Sequence, residues 1–212
     1  MTPTKIAVIG AGWRADFHLR LALMMPERFE IVGWVARNPQ KQGKYQVPTY
    51  SSIGDLLAHE KPHYVVSAVS SSSNPEILTQ LVNAGIPALS ETPPADDLLA
   101  LRNLWEAAGS KDLVQVAEQY MRLPMHAARL AVTKRGEIGE ITSVQVSSTH
   151  GYHAVSMMRT ILGAGFSRAE IRATSFTAPL IDPLARDGWS EDLAPKSAKT
   201  VLATIDFQEG KS

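Results

Sequence analysis

Residues 5–15 read KIAVIGAGWRA, and how this stretch is understood decides the reading of everything that follows. Ile6, Ala7, Val8 and Ile9 form an apolar run that stops at two glycines. Phe17, Leu21 and Met24 or Met25 then recur at helical spacing. The pattern is a buried strand, a tight turn and a helix. Gly10 permits the turn, and Gly12 lets backbone approach a pyrophosphate whose charge meets the helix N-terminus. Ala15 takes the third small position, where close helix–strand packing is needed. Trp13 covers the cofactor pocket or packs on the sheet. Gly10, Gly12, Trp13, Arg14 and Ala15 are therefore candidate cofactor-binding residues, with a plain structural turn as the alternative.

The residues after this turn supply its context. FEIVGWVAR (29–37) is a second strand, and SSIGDLLAHEKP (51–62) a short helix stopped by Pro62. HYVVSAVS (63–70) is a third strand, followed by a serine-rich turn and a helix over 75–84. IPALSE (86–91) is a fourth strand, ADDLLALRNLWEAAGSK (95–111) an amphipathic helix, and LVQVAEQY (113–120) a further strand. Strands alternating with helices predict an α/β fold, a doubly wound Rossmann parallel sheet over residues 1–121. Beyond 122 the rhythm changes. A helix from Pro124 to about Lys134 leads to GEIGEITSVQVSST (136–149), which reads as a long alternating strand. A helix over 153–162 and strands at 173–178 and 200–207 follow, while 183–199 is polar and loop-like. Residues 122–212 are thus expected to form a second, incomplete α+β domain on a mainly antiparallel sheet.

In a dinucleotide fold, the second strand ends in an acid when it holds the adenosine ribose of NAD. Here it ends Val35-Ala36-Arg37-Asn38, without an acid. Arg37 suits a 2′-phosphate, so NADP is the expected cofactor, with NAD possible; an ordinary solvated arginine is the alternative.

Composition narrows the field. Of 212 residues, Lys+Arg and Asp+Glu each number 21, so charge gives no case for nucleic acid or an anionic membrane. There is no cysteine, hence no disulfide, thiolate metal site or cysteine nucleophile. MTPTKIAVIG is too soon broken by glycine for a signal segment. No apolar run approaches the roughly 20 residues of a membrane span. A cytoplasmic protein is expected.

Several stretches occur in one family's order: KIAVIGAGWRADFH, SSSSNPE, NAGIPALSETPPA, VAEQYMRLP with RGEIGEI, and HGYHAVSMMRTILG. Together they resemble the glucose–fructose oxidoreductase / inositol dehydrogenase / MocA family. The resemblance implies an NAD(P)-dependent oxidoreductase acting on a sugar, cyclitol or related alcohol. It also implies a homo-oligomer, a dimer or more, built on the second domain's sheet. The family's Glu-Lys-Pro motif falls on Glu91-Thr92-Pro93, so Thr92 stands where a lysine lies by the nicotinamide. Its Asp-x-x-x-His falls on Thr149 and His153, and a histidine frequent after the fourth core strand's turn is Asn74 here. Ser70, Asn74, Glu91 and Thr92 accordingly join the cofactor-binding candidates; a run of serines is also simply a turn.

Hydride transfer from an alcohol needs a group to take the hydroxyl proton. Threonine cannot supply it, so His153 is the leading candidate, with Tyr152 and Glu91 as further catalytic candidates. The alternatives are a His153 facing solvent, a packing Tyr152 and a chance turn residue at Glu91. Tyr120 and Arg122 fall where the family lines the cleft between domains. His150 and His153 lack an evident third ligand, so no metal is expected. DFQEG (206–210) reads as a strand entering a hairpin without a partner, which suggests a C-terminally truncated form. A catalytically impaired relative that binds dinucleotide for structure or sensing, and a Rossmann-like fold binding S-adenosylmethionine or no nucleotide, stay open.

Overall fold

The computed structural model describes residues 2–36, 45–109, 112–149, 151–181, 184–185, 188–189, 191–208 and 210–212. Internal contacts divide the chain into two units, Met1–Glu118 and Gln119–Ser212.

The first unit runs β1 (Thr4–Ile9), α1 (Trp13–Leu23), β2 (Phe29–Val35), β3 (Thr49–Tyr50), α2 (Ile53–His59) and β4 (Tyr64–Ser67). It continues with α3 (Asn74–Asn83), β5 (Ala88–Ser90), α4 (Leu98–Ala108) and β6 (Val114–Val116). The strands make one six-stranded sheet in the order β3-β2-β1-β4-β5-β6, each neighbouring pair parallel. The chain leaves β1 toward one edge and β4 toward the other. Their carboxyl ends therefore flank the crevice where doubly wound sheets bind ligands. This is the α/β architecture expected from the alternation; β3, only two residues long, carries no periodic signal.

Successive residues of each strand enter opposite faces. Ala7 and Ile9 join Val35, Val65, Leu78, Leu81 and Leu104 on one side. Val8 joins Ala15, Leu19, Trp34 and Val66 on the other. With both faces covered, the strands are apolar throughout rather than alternating. Leu19, Leu56, Leu78 and Leu81 are fully buried, each contributing about 2 kcal/mol. Ser52 caps α2 by accepting from the Asp55 amide, and Asp97 caps α4 by accepting from the Ala100 amide.

The second unit opens with a 3₁₀ turn (Tyr120–Arg122), then α5 (Pro124–Lys134) and α6 (Gly151–Leu162). Pro124 sits at the start of α5, where its missing N–H costs no helical bond. β7 (Ala169–Leu180) and β10 (Lys196–Phe207) pair antiparallel from Ala169↔Phe207 to Leu180↔Lys196. The polar stretch between them, read as a loop, contains a short antiparallel pair, β8 (Leu184–Ala185) and β9 (Gly188–Trp189). After β10 the chain turns so that Phe207 bridges Lys211.

One expected element is absent. Residues 136–149 form no strand. Their recorded backbone links to another segment are those of Val144 and Thr142 with Ser212, both at 3.0 Å. Alternating polarity gives a segment two faces, but a strand also needs a neighbouring strand to hydrogen-bond with along its length.

Candidate functional site

The turn between β1 and α1 is held from two sides. The Gly10 amide donates to the Val35 carbonyl at 2.9 Å, and the Trp34 indole N–H donates to the Gly10 carbonyl at 2.7 Å. Gly10 has φ of +124°, and a Cβ there would lie 2.2 Å from the Ala68 carbonyl oxygen. Only glycine fits so close to the end of β4. Gly12 differs: a Cβ there would meet nothing within 4 Å. Protein packing does not demand this second glycine. It is the N-cap of α1 and, as glycine, has no side chain to cap the helix's first-turn amides. A small residue at that point serves the close approach of something from outside the fold, as a dinucleotide pyrophosphate does. Ala15 is fully buried against Val8 and Val66, filling the close helix–strand contact.

The next feature is a cluster around Glu91, which directly follows β5. Its side chain is only 8 % exposed. The Arg14 Nη2 lies 2.9 Å from Glu91 Oε1, and His18 Nε2 lies 2.7 Å from the same oxygen. Burial pushes the Glu91 carboxyl up, but hydrogen bonds from His18 and Arg14, with their charge, outweigh it and hold the group below the usual carboxylate range. An ionised carboxylate only accepts, so His18 Nε2 carries the donated hydrogen. The Arg14 guanidinium also lies 5.3 Å from both the Trp13 and Phe17 ring centroids. Those rings stack at 6.0 Å, and Trp13 is 43 % exposed. Of this cluster the sequence reading singles out Glu91, Arg14 and Trp13 and misses His18. Its signal was the four-residue spacing from Arg14, which places both on one helix face.

The β4–α3 turn behaves differently. Asn74 is 1 % exposed. Ser67 Oγ donates to Asn74 Oδ1 at 2.6 Å, and Asn74 Nδ2 donates to Ser90 Oγ at 2.8 Å. Its carboxamide therefore stitches β4, α3 and β5 together inside the fold. Ser70 is exposed and makes a hydroxyl chain with Ser72 and Ser73, each at 3.1 Å. Thr92 is half-buried beside Glu91, and the Thr92–Pro93 peptide is cis. Arg37 lies outside the described residues.

In the second unit, His153 is buried on α6. Its ring centroid is 4.4 Å from that of Tyr120 and 4.3 Å from that of Tyr152. Tyr152 is exposed, and Arg122 of the 3₁₀ turn is exposed as well. Thr149, at the position of the family's aspartate, has a buried hydroxyl oxygen without a hydrogen-bond partner among the described residues. His150 is outside the described residues. No cluster of three or more metal-ligating side chains occurs among the described residues. No described helix is long and apolar enough to cross a membrane.

Comparison with known proteins agrees with this geometry. The chain is 27 % identical over 154 residues to an uncharacterised oxidoreductase of Schizosaccharomyces pombe, covering 68 % of this chain and 42 % of that protein. It therefore spans less than half the length of that curated relative. Its fold matches GenD2 from gentamicin A biosynthesis, solved in complex with NAD, with a TM-score of 0.74 at 19 % identity, covering 100 % of this chain and 64 % of GenD2. The myo-inositol 2-dehydrogenase of Lactobacillus plantarum matches with a TM-score of 0.76 at 16 % identity, covering 99 % and 68 %. The family model for oxidoreductases with an NAD-binding Rossmann fold matches residues 4–120, the whole of the sheet and its glycine turn. The chain belongs to this glucose–fructose oxidoreductase / inositol dehydrogenase / MocA family of oxidoreductases.

Proposed function

We propose that the chain is an NADP(H)-preferring oxidoreductase passing a hydride between nicotinamide and a hydroxyl or keto carbon of a sugar, cyclitol or related compound. The observation that carries this is the open backbone at Gly12 beside the switch between β1 and β4. When bound, the cofactor supplies the hydride acceptor or donor. Gly10, Gly12, Trp13 and Arg14 would hold its diphosphate side, with Ala15 closing the helix against the sheet beneath them and Ser70 and Thr92 toward the nicotinamide. When the carbon bearing a hydroxyl gives up hydride, the hydroxyl must also lose its proton for the carbonyl to form. Thr92 does not titrate, so His153 takes the proton, with the hydroxyl of Tyr152 as a donor to the substrate oxygen. The preference for NADP rests on Arg37 following β2 where an acid would favour the ribose of NAD. The protein is taken to work in the cytoplasm as a homo-oligomer.

A second reading is favoured by Thr92 and Thr149, the two positions where family chemistry expects a lysine and an aspartate. It makes the chain a dinucleotide-binding relative with impaired turnover. Fluorescence titration with NADPH and NADH, then hydride exchange with a panel of polyols and ketoses, separates the two. Tighter NADPH binding and turnover of a polyol support the first. Tight binding without turnover supports the second. NADH bound as tightly as NADPH overturns the assignment to Arg37.

A further inference from the structure

We propose that Glu91 is a positioning residue: through one carboxylate oxygen it holds Arg14 and His18 of α1 at the end of β5, and so presents the Arg14 guanidinium to an anionic dinucleotide at the glycine turn. The inference rests on the dinucleotide reading above and assigns the residue that aligns it.

The carboxylate stands on a fixed point. The Glu91 amide donates to the Ser67 carbonyl at 2.9 Å, and Ser90 Oγ donates to the Glu91 carbonyl at 2.9 Å. A buried charge persists only if paired, and both partners of Glu91 come from one face of α1. A carboxylate committed to two donors is a weak base, so Glu91 is ill suited to take a substrate proton. Arg14 is the better placed of the three to reach a ligand. It is the second residue of α1, in the first turn, where the helix dipole favours negative charge. Its guanidinium carries five N–H donors. One nitrogen serves Glu91, and no other protein acceptor is recorded for it among the described residues. Its plane is braced by Trp13 and Phe17. An arginine fixed on three sides loses little side-chain freedom when an anion arrives.

The test uses the intact chain and its Glu91→Gln, Arg14→Gln and double variants. NADPH dissociation constants are read by fluorescence, with thermal midpoints alongside. Glu91→Gln is expected to weaken NADPH binding about tenfold, the scale of a lost charge-assisted contact. Arg14→Gln is expected to weaken it at least as much. The double variant should bind no more weakly than Arg14→Gln alone, because Glu91 acts through Arg14. Additive losses overturn the proposal, as does a Glu91→Gln protein with a lowered midpoint and unchanged affinity. Tighter binding by Glu91→Gln also overturns it, since the carboxylate would then only offset the charge of Arg14. If Glu91→Gln does not fold, unchanged affinity in Arg14→Gln decides against it. A wild-type chain that binds neither dinucleotide defeats the underlying cofactor reading itself, a result distinct from all of these.

Discussion

A methyl group on Gly10 would press into the Ala68 carbonyl, whereas one on Gly12 would touch no protein atom. Two glycines in one turn therefore answer to different demands. Gly10→Ala forces a positive φ on a residue with a Cβ, costing about 1–3 kcal/mol, and must also shift the end of β4. Its thermal midpoint should fall clearly. Gly12 sits at φ −84°, which alanine adopts freely. Gly12→Ala should keep stability within about 1 kcal/mol, the difference between glycine and alanine at an N-cap. Its dinucleotide affinity should nonetheless drop by about 1.4 kcal/mol or more, a factor of ten. Equal stability losses in both variants, or full affinity in Gly12→Ala, would refute this division. The spacing of Gly10, Gly12 and Ala15 was legible in the sequence. What separates the two glycines was not, because Ala68 is remote in the chain. Asn74 shows the same limit: the family resemblance implies a cofactor contact there, while its carboxamide bonds inward to Ser67 and Ser90.

Helix α1 and strand β5 are joined through Glu91, and that link makes their association depend on pH. The folded-state carboxyl is held below its unfolded value, so it binds fewer protons folded than unfolded. Its stabilising contribution is thus complete above the ordinary carboxylate range and fades as pH falls through the lowered folded value. Thermal midpoints measured from neutral pH into the acid range should decline more steeply for the wild type than for Glu91→Gln. Parallel profiles would show that the link contributes nothing to stability. At this scale the long elements were readable: α1, β2, α3, α4 and α6 form where apolar spacing places them. The exceptions have physical causes. β3 exists because Trp34 and Val35 offer two residues a parallel neighbour, a tertiary fact without a local pattern. Residues 136–149 have the alternation of a strand but, beyond the turn bonds at Gly136 and Gly139, their recorded backbone partner among the described residues is Ser212.

The two units differ in what holds them. Both apolar clusters, from Val8 and Ala15 on one face to Leu81 and Leu104 on the other, are built wholly from residues before Glu118. In the second unit the buried apolar side chains described are Met157, Leu162 and Phe207. Ile171, Val201 and Leu202 of the β7–β10 pair are exposed. A two-stranded ribbon of this kind is marginal alone, and few buried contacts mean low local stability. In the monomeric chain, amide exchange should therefore be fast along β7 and β10 and slow along β1 and β4. The same asymmetry predicts that residues 1–118 form a self-sufficient folding unit. Expressed alone, they should unfold cooperatively and bind NAD(P)H with an affinity within about threefold of the full chain's, a difference of well under 1 kcal/mol. The glycine turn, Arg14, His18 and Glu91 all lie within them. Cooperative unfolding with lost binding would mean that residues beyond 118 complete the cofactor site. Loss of cooperative unfolding would mean that the sheet needs support its own two clusters do not supply.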